Sequence, residues 1–132
     1  MSVRSVIDRY YECVNAGDWE GWLGLFDEHL VMDEQLAGHL EGLTALRGAV
    51  SGIQQVYSRF QNTPRYFVID GAQACVVSHI SATSAGGKPI EAEVANYFLI
   101  QDGKIAYMAN FHDSVPFAPI LEPQPRQARE SE

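Results

Sequence analysis

Positive charge is scarce in this sequence: 9 Lys and Arg stand against 17 Asp and Glu, for a formal net charge of −8. That balance, with no basic stripe, argues against binding nucleic acid or an anionic membrane. No run of apolar residues is long enough to span a bilayer. The opening MSVRSVIDRYYE lacks the uninterrupted apolar core of a secretion signal, so a cytoplasmic protein is expected. Cysteine is sparse too. Cys13 and Cys75 stand far apart in apolar patterns and are expected to be reduced and buried, not bridged. The histidines form no HxH or HxxxH pair, so no metal site is expected. No glycine-rich loop joins a strand to a helix, since Ala85-Gly86-Gly87 lies between two strands, so no nucleotide cofactor is expected. Internal repeats and linkers are absent. The 132 residues suit one domain with a real core, not two. From Glu122 onward no aliphatic side chain exceeds alanine, so the domain is assigned to 1–121 and a disordered tail to 122–132.

What is present is organised around Ile90 to Pro119, which reads as two antiparallel strands joined at Gln101-Asp102-Gly103. In the first, Ile90, Ala92, Val94, Asn96, Phe98 and Ile100 share one face, the more apolar and hence the covered one. In the second, Ile105, Tyr107, Ala109 and Phe111 share one face, and Met108, Asn110 and His112 the other. Asn and His among apolar neighbours suggest a pocket lining, because buried polar groups need partners and a ligand can supply them.

Upstream, Val3, Val6, Ile7, Tyr10 and Val14 recur at helical spacing, predicting a helix over 3–16 that Gly17 ends. Tyr11 is expected to face away. Asp18 then caps a short helix with Trp19, Trp22, Leu23 and Phe26 inward. Leu30 to Glu34 reads as a short strand, Gln35 to Gly42 as a loop, and Leu43 to Phe60 as a third helix with Leu46, Val50, Ile53, Tyr57 and Phe60 buried. Strands follow over 65–70 and 74–83. Helices first and then a run of strands indicate an α+β fold.

Two stretches, RYYECVNAGDWEGWLGLFDEHLVMDE and IQDGKIAYMANFHDSVPF, resemble the opening helices and the last hairpin of the nuclear transport factor 2-like superfamily, in its SnoaL-like and ketosteroid isomerase-like branch. The resemblance covers nearly all of residues 3–121. It implies a cone: a curved antiparallel sheet wrapped around three helices, a cystatin-like α+β barrel with a pocket inside. Carried over from the isomerases, it places an oxyanion donor at Tyr10, the proton-moving carboxylate at Glu34, and the second oxyanion donor at Asn96. The epoxide-hydrolase aspartate falls on Asn110, and an amide cannot act as a base, so that activity is the least expected. The nearest matches to cyclase acid/base residues are His79, His112 and Asp113.

These readings combine into one expectation: a cofactor-independent acid/base enzyme, isomerase or polyketide cyclase in type, acting on a hydrophobic carbonyl compound. Glu34 would be the base, with Asp33 its competitor one residue away. Tyr10 and His112 complete the catalytic set, and Asn96, Asn110, His79, Met108, Trp22 and Phe98 the substrate-binding set. The alternative is a non-catalytic small-molecule-binding or assembly domain of the same fold. The outward row Ala95, Tyr97 and Leu99, with Val76 and Ile80 on the neighbouring strand, is too apolar for a solvated face and predicts a homodimer through the sheet.

Overall fold

The computed structural model describes residues 2–121, and the tail assigned to 122–132 lies outside them. In chain order the elements are α1 (Val3–Ala16), α2 (Trp19–Leu23), β1 (Phe26–Glu34), β2 (Gly38–Glu41), α3 (Leu43–Val56), β3 (Tyr57–Asp70), β4 (Gln73–Ser84), β5 (Pro89–Gln101) and β6 (Lys104–Phe111). A 3-10 turn (Val115–Phe117) and the single-turn α4 (Ala118–Leu121) follow. The helices pack on a curved, unclosed sheet of order β2-β1-β6-β5-β4-β3. This is the expected α+β cone, with one refinement: β1 and β6 run parallel, while every other pair is antiparallel.

Local chemistry sets the opening helices. The Ser2 side chain caps α1 by accepting from the Ser5 N–H at 3.1 Å. Gly17 ends the helix at φ 70°, a left-handed conformation that costs glycine little. The Asp18 carboxylate then caps α2 through the Gly21 N–H at 2.9 Å. On α1 the buried stripe is wider than expected. It takes in Tyr11, whose ring lies 6.5 Å from that of Phe98, because the sheet covers that flank of the helix as well.

The Asn15 side chain ties α1 to the edge of the sheet, and Gln61 adds a bond to the Asn15 carbonyl at 3.3 Å. The Asn15 amide donates to the Asn62 carbonyl at 2.8 Å and accepts from the Asn62 N–H at 2.7 Å. β3 is an edge strand, and this amide supplies the pairing that a further strand would otherwise offer.

The sheet corrects several boundaries. β1 begins at Phe26, so Phe26 belongs to a strand and not to α2, and the expected loop over 35–42 contains β2. α3 stops at Val56. Tyr57 and Phe60 keep helical spacing but lie on β3, because ladder pairing with Ser84 and Ala82 of β4 takes over. Cys13 is buried, Cys75 only half-buried, and both are free thiols.

Faces matter more than boundaries, because one residue of slip reverses every side chain. β5 follows the expected alternation throughout, with Ile90 to Ile100 inward at every second residue. β4 does not match the expectation. Val76 and Ile80 pair with Asn96 and Ala92 and point inward, so the outward row is Cys75, Val77, His79 and Ser81. In β6 a bulge separates Leu99↔Tyr107 from Ile100↔Ile105 and leaves Ala106 unpaired. Ile105 therefore turns inward with Met108, against the expected grouping with Tyr107, Ala109 and Phe111.

His79 thus sits on the outer face, not in a pocket. Its Nε2 meets Glu91 at 2.6 Å, and its Nδ1 bonds Glu93, which Arg65 also contacts at 3.1 Å. Glu91, and then Glu93, hold the imidazole pKa above its ordinary value. His79 in turn is the first cause of the lowered pKa of both carboxylates.

Two measurements test this account. Asn15→Leu removes both bonds to Asn62 and leaves backbone groups short of partners, which costs about 1–3 kcal/mol per unsatisfied group. Denaturant unfolding should show a loss in that range, whereas a change within about 0.5 kcal/mol would mean that the clamp is idle. The outer cluster gives a pH signature. A raised histidine pKa contributes stability that is complete below about 6.5 and lost as pH climbs through the raised value. Lowered glutamate pKa values contribute stability that is lost as pH falls through them. The drop in thermal midpoint caused by His79→Gln should therefore be largest near about pH 5–6.5 and shrink above it. A drop that grows with pH would contradict this geometry.

Candidate active site

A cavity of about 360 Å³ lies between the three helices and the inner face of the sheet. It is lined largely by apolar side chains, among them Trp22, Met32, Val50, Ile80 and Met108. Tyr10, Glu34, Asn62, Asn96, Asn110 and His112 also line it. Of the nine expected site residues, seven meet here. The exceptions are His79, on the outer face, and Phe98, which is fully buried and packs its ring 5.1 Å from that of Tyr10 in the core behind the cavity.

Glu34 is the last residue of β1 and points inward with Met32, while Asp33 between them points out. Asp33 accepts from the Tyr107 hydroxyl at 2.6 Å and meets His39 at 2.7 Å. These two bonds, Tyr107 first, lower its pKa, so it is a surface anion. Glu34 folds back over its own turn. One carboxylate oxygen accepts from the Leu36 N–H at 3.0 Å and more closely from that of Ala37. The other receives the Asn110 amide at 3.3 Å. Asn110 is itself fixed, because its carbonyl oxygen accepts from the Gln35 N–H at 3.0 Å. Glu34 is thus held in one orientation at the cavity wall.

Tyr10 reaches the cavity from α1. Its ring packs edge-on against Phe98 and lies 5.7 Å from Trp22 and 6.3 Å from Phe26. Burial is the main cause that pushes its pKa well above the ordinary tyrosine value, and the Glu34 charge adds to it. Tyr10 therefore stays a neutral O–H donor across any working pH. The Trp22 indole N–H opposes part of the rise. Tyr57, half-buried at the other side of the cavity, is likewise raised by burial and then by Glu34.

Asn96 plays a different part from the one expected of it. It is 2% exposed, and its NH₂ group donates to the Val76 carbonyl at 3.0 Å and the Ser78 hydroxyl at 2.9 Å. Both amide hydrogens are committed, so Asn96 cannot serve as the second oxyanion donor and offers the cavity only an acceptor. His112 follows β6, and its ring lies 4.6 Å from that of Phe117 at a tilt of 45°. Its Nδ1 lies 2.9 Å from the Asp113 carbonyl. A carbonyl only accepts, so Nδ1 carries a proton, and the tautomer this selects has its lone pair on Nε2. The Asp113 carboxylate caps the next turn through the Val115 N–H at 2.9 Å, a structural role.

Sequence reasoning missed Asn62 and Tyr57. The side-chain amide oxygen of Asn62, Oδ1, is buried without a hydrogen-bond partner in the cavity wall. Its place follows from pairing with Ile80, once Ile80 is known to face inward.

Comparison with known proteins agrees with this architecture. The profile of the SnoaL-like domain matches residues 7–108. No curated protein matches the chain. Among solved structures, an NTF2-like protein of unknown function from Burkholderia pseudomallei superposes with a TM-score of 0.85 at 13% identity, over 93% of this chain and 100% of that one. TerC, co-crystallized with polyporic acid, gives a TM-score of 0.82 at 20% identity, over 92% of this chain and 98% of its own. A loop-truncation variant of IdmH gives 0.75 at 19% identity, over 92% and 100%. At these identities the likeness is one of fold.

Proposed function

The chain belongs to the SnoaL-like domain family, and from that premise we propose that it is a cofactor-independent acid/base enzyme acting on a hydrophobic carbonyl compound, isomerase or cyclase in type. The observation that carries this reading is the meeting of Glu34 and Tyr10 in one largely apolar cavity. Proton removal next to a carbonyl needs a base, a donor for the developing oxyanion, and a site that excludes water. Glu34 is the base, held by its turn and by Asn110. Tyr10 donates to the oxygen, and its raised pKa keeps the proton in place for that purpose. The lone pair on His112 Nε2 and the free acceptor of Asn96 hold ligand hydroxyls or relay a proton. Trp22 and Met108 supply apolar walls. TerC, a protein of the same fold, is co-crystallized with polyporic acid.

One observation favours the non-catalytic reading. Glu34 already accepts three hydrogen bonds, two of them from its own turn, as a purely structural carboxylate would. Exchange of ketone α-protons into deuterated water, followed by NMR over a panel of hydrophobic ketones, separates the two. Glu34→Gln keeps a carbonyl for the Leu36 and Ala37 amides, so the fold should persist. The exchange rate should fall by about 10²–10⁴. Equal rates in wild type and Glu34→Gln would remove Glu34 from the chemistry, and tight binding without exchange would favour the binding domain.

We also propose that the chain pairs with a second copy through its outer sheet face. The ladder aligns Tyr66, Val77, Ala95 and Phe111 in one row across four strands, with Val68, Cys75, Tyr97 and Ala109 in the next. Tyr66, Val68 and Phe111 are 61%, 68% and 61% exposed, a contiguous apolar band unlike a solvated surface. Light scattering at micromolar concentration should give twice the chain mass, and Ala95→Arg in the centre of the row should halve it. A monomeric wild type would contradict the pairing.

A further inference from the structure

With Asn96 unable to donate, the proposed oxyanion seat keeps Tyr10 as its donor, and a group that acts on Tyr10 can strengthen it. Trp22 is the candidate the cavity supplies. It is 5% exposed, lines the cavity from α2, and its indole N–H is fully buried with no hydrogen-bond partner. A buried donor left unpaired is destabilising, so such a group calls for an explanation. Its ring centroid lies 5.7 Å from that of Tyr10, at a tilt of 52°. The N–H is too enclosed for a ligand atom to touch it directly; its geometry falls short of a hydrogen bond to Tyr10, yet it lies close enough to the phenol oxygen to oppose part of the pKa rise.

We propose that Trp22 is a positioning residue: when a carbonyl ligand enters, its indole N–H closes onto the Tyr10 oxygen and turns the Tyr10 O–H toward the ligand. The result is a chain of two hydrogen bonds, from the indole N–H to the phenol oxygen and from the phenol O–H to the carbonyl oxygen. Each bond polarises the next, so the second strengthens when the first forms. No proton leaves the indole. Its role is to fix the direction of the phenol proton and to accommodate the charge drawn toward the Tyr10 oxygen as the ligand oxygen becomes negative. The ligand-free protein then holds an unsatisfied donor that ligand binding satisfies. The chain is built from Trp22 of α2 and Tyr10 of α1, packed on Phe26 and Phe98.

The inference rests on the carbonyl-binding part of the proposed function, and its test needs binding but no turnover. The probe is 9-fluorenone, read by the infrared stretch of its carbonyl. In the wild type the bound stretch should lie below its value in hexane. Tyr10→Phe should return it to the hexane value. Trp22→Phe should return it part of the way, and Trp22→Phe combined with Tyr10→Phe should match Tyr10→Phe alone. A wild-type-like stretch in Trp22→Phe would reduce Trp22 to a wall. A shift that survives Tyr10→Phe and vanishes in the double variant would make Trp22 a direct ligand contact. Either overturns the proposal, as does a hexane-like stretch in the wild type or a failure of the wild type to bind the probe. A second readout does not depend on replacing Trp22. The Trp22 indole ¹H–¹⁵N NMR signal should move downfield when fluorenone is added to the wild type, and stay in place in Tyr10→Phe. Loss of α-proton exchange with these shifts intact would remove the acid/base reading and leave the chain of bonds standing. The converse would leave Glu34 as the base without help from Trp22.

Discussion

The Asn15 amide closes the cone. Its two hydrogen bonds to the Asn62 backbone join the last turn of α1 to the far edge of the sheet, across 47 positions of chain. Everything in the cavity is referred to that junction. Tyr10 sits on the same helix, a little more than one turn earlier. Asn62 projects its own side chain inward from the clamped residue. The other helix-to-sheet contacts are mostly hydrophobic packing, which is strong but undirected. An amide bonded at both ends adds the direction that burial alone lacks, setting how deep α1 sits and how Tyr10 meets Glu34.

The electrostatics of the interior follow from its composition. Among the described residues no lysine or arginine lines the cavity, and Glu34 is the one carboxylate that does. Other charges lie outside it: ion pairs on the helices join Arg4 to Asp8 and Arg47 to Glu20, and on the outer sheet face His39 lies between Asp33 and Glu41, and His79 between Glu91 and Glu93. An anionic ligand would meet a like charge inside and no cation to offset it. On the proposed function, the guest would then be uncharged.

How much of this was legible depended on whether the two faces of a strand differ. β5 alternates apolar residues with glutamates over its first half, so its inward row, Asn96 included, could be read directly. β4 offers Val76 beside Val77, with small residues around, and periodicity could not choose between its faces; the ladder with β5 does. Misreading it moved His79 into the site and put Val76 and Ile80 outside. The bulge at Ala106 left no mark in the residue pattern, and it alone turns Ile105 inward. Tyr57 and Phe60 continue the helical spacing of α3, yet pairing with β4 makes them strand. For the site, resemblance located Tyr10 and Glu34, and alternation located Asn96, Asn110 and His112. The commitment of the Asn96 hydrogens was out of reach, because Val76 and Ser78 become its partners only once β4 lies alongside.

The turn that holds Glu34 has a stereochemical consequence. A carboxylate offers about four lone-pair directions. Leu36, Ala37 and Asn110 occupy three, so a single direction, fixed relative to the cavity wall, remains for a proton. A planar enolate held by its oxygen at Tyr10 would present the same face to that lone pair throughout its lifetime. A proton taken from one carbon and delivered to another would then leave and return on one side of the plane, and the product would carry a single handedness at the new centre.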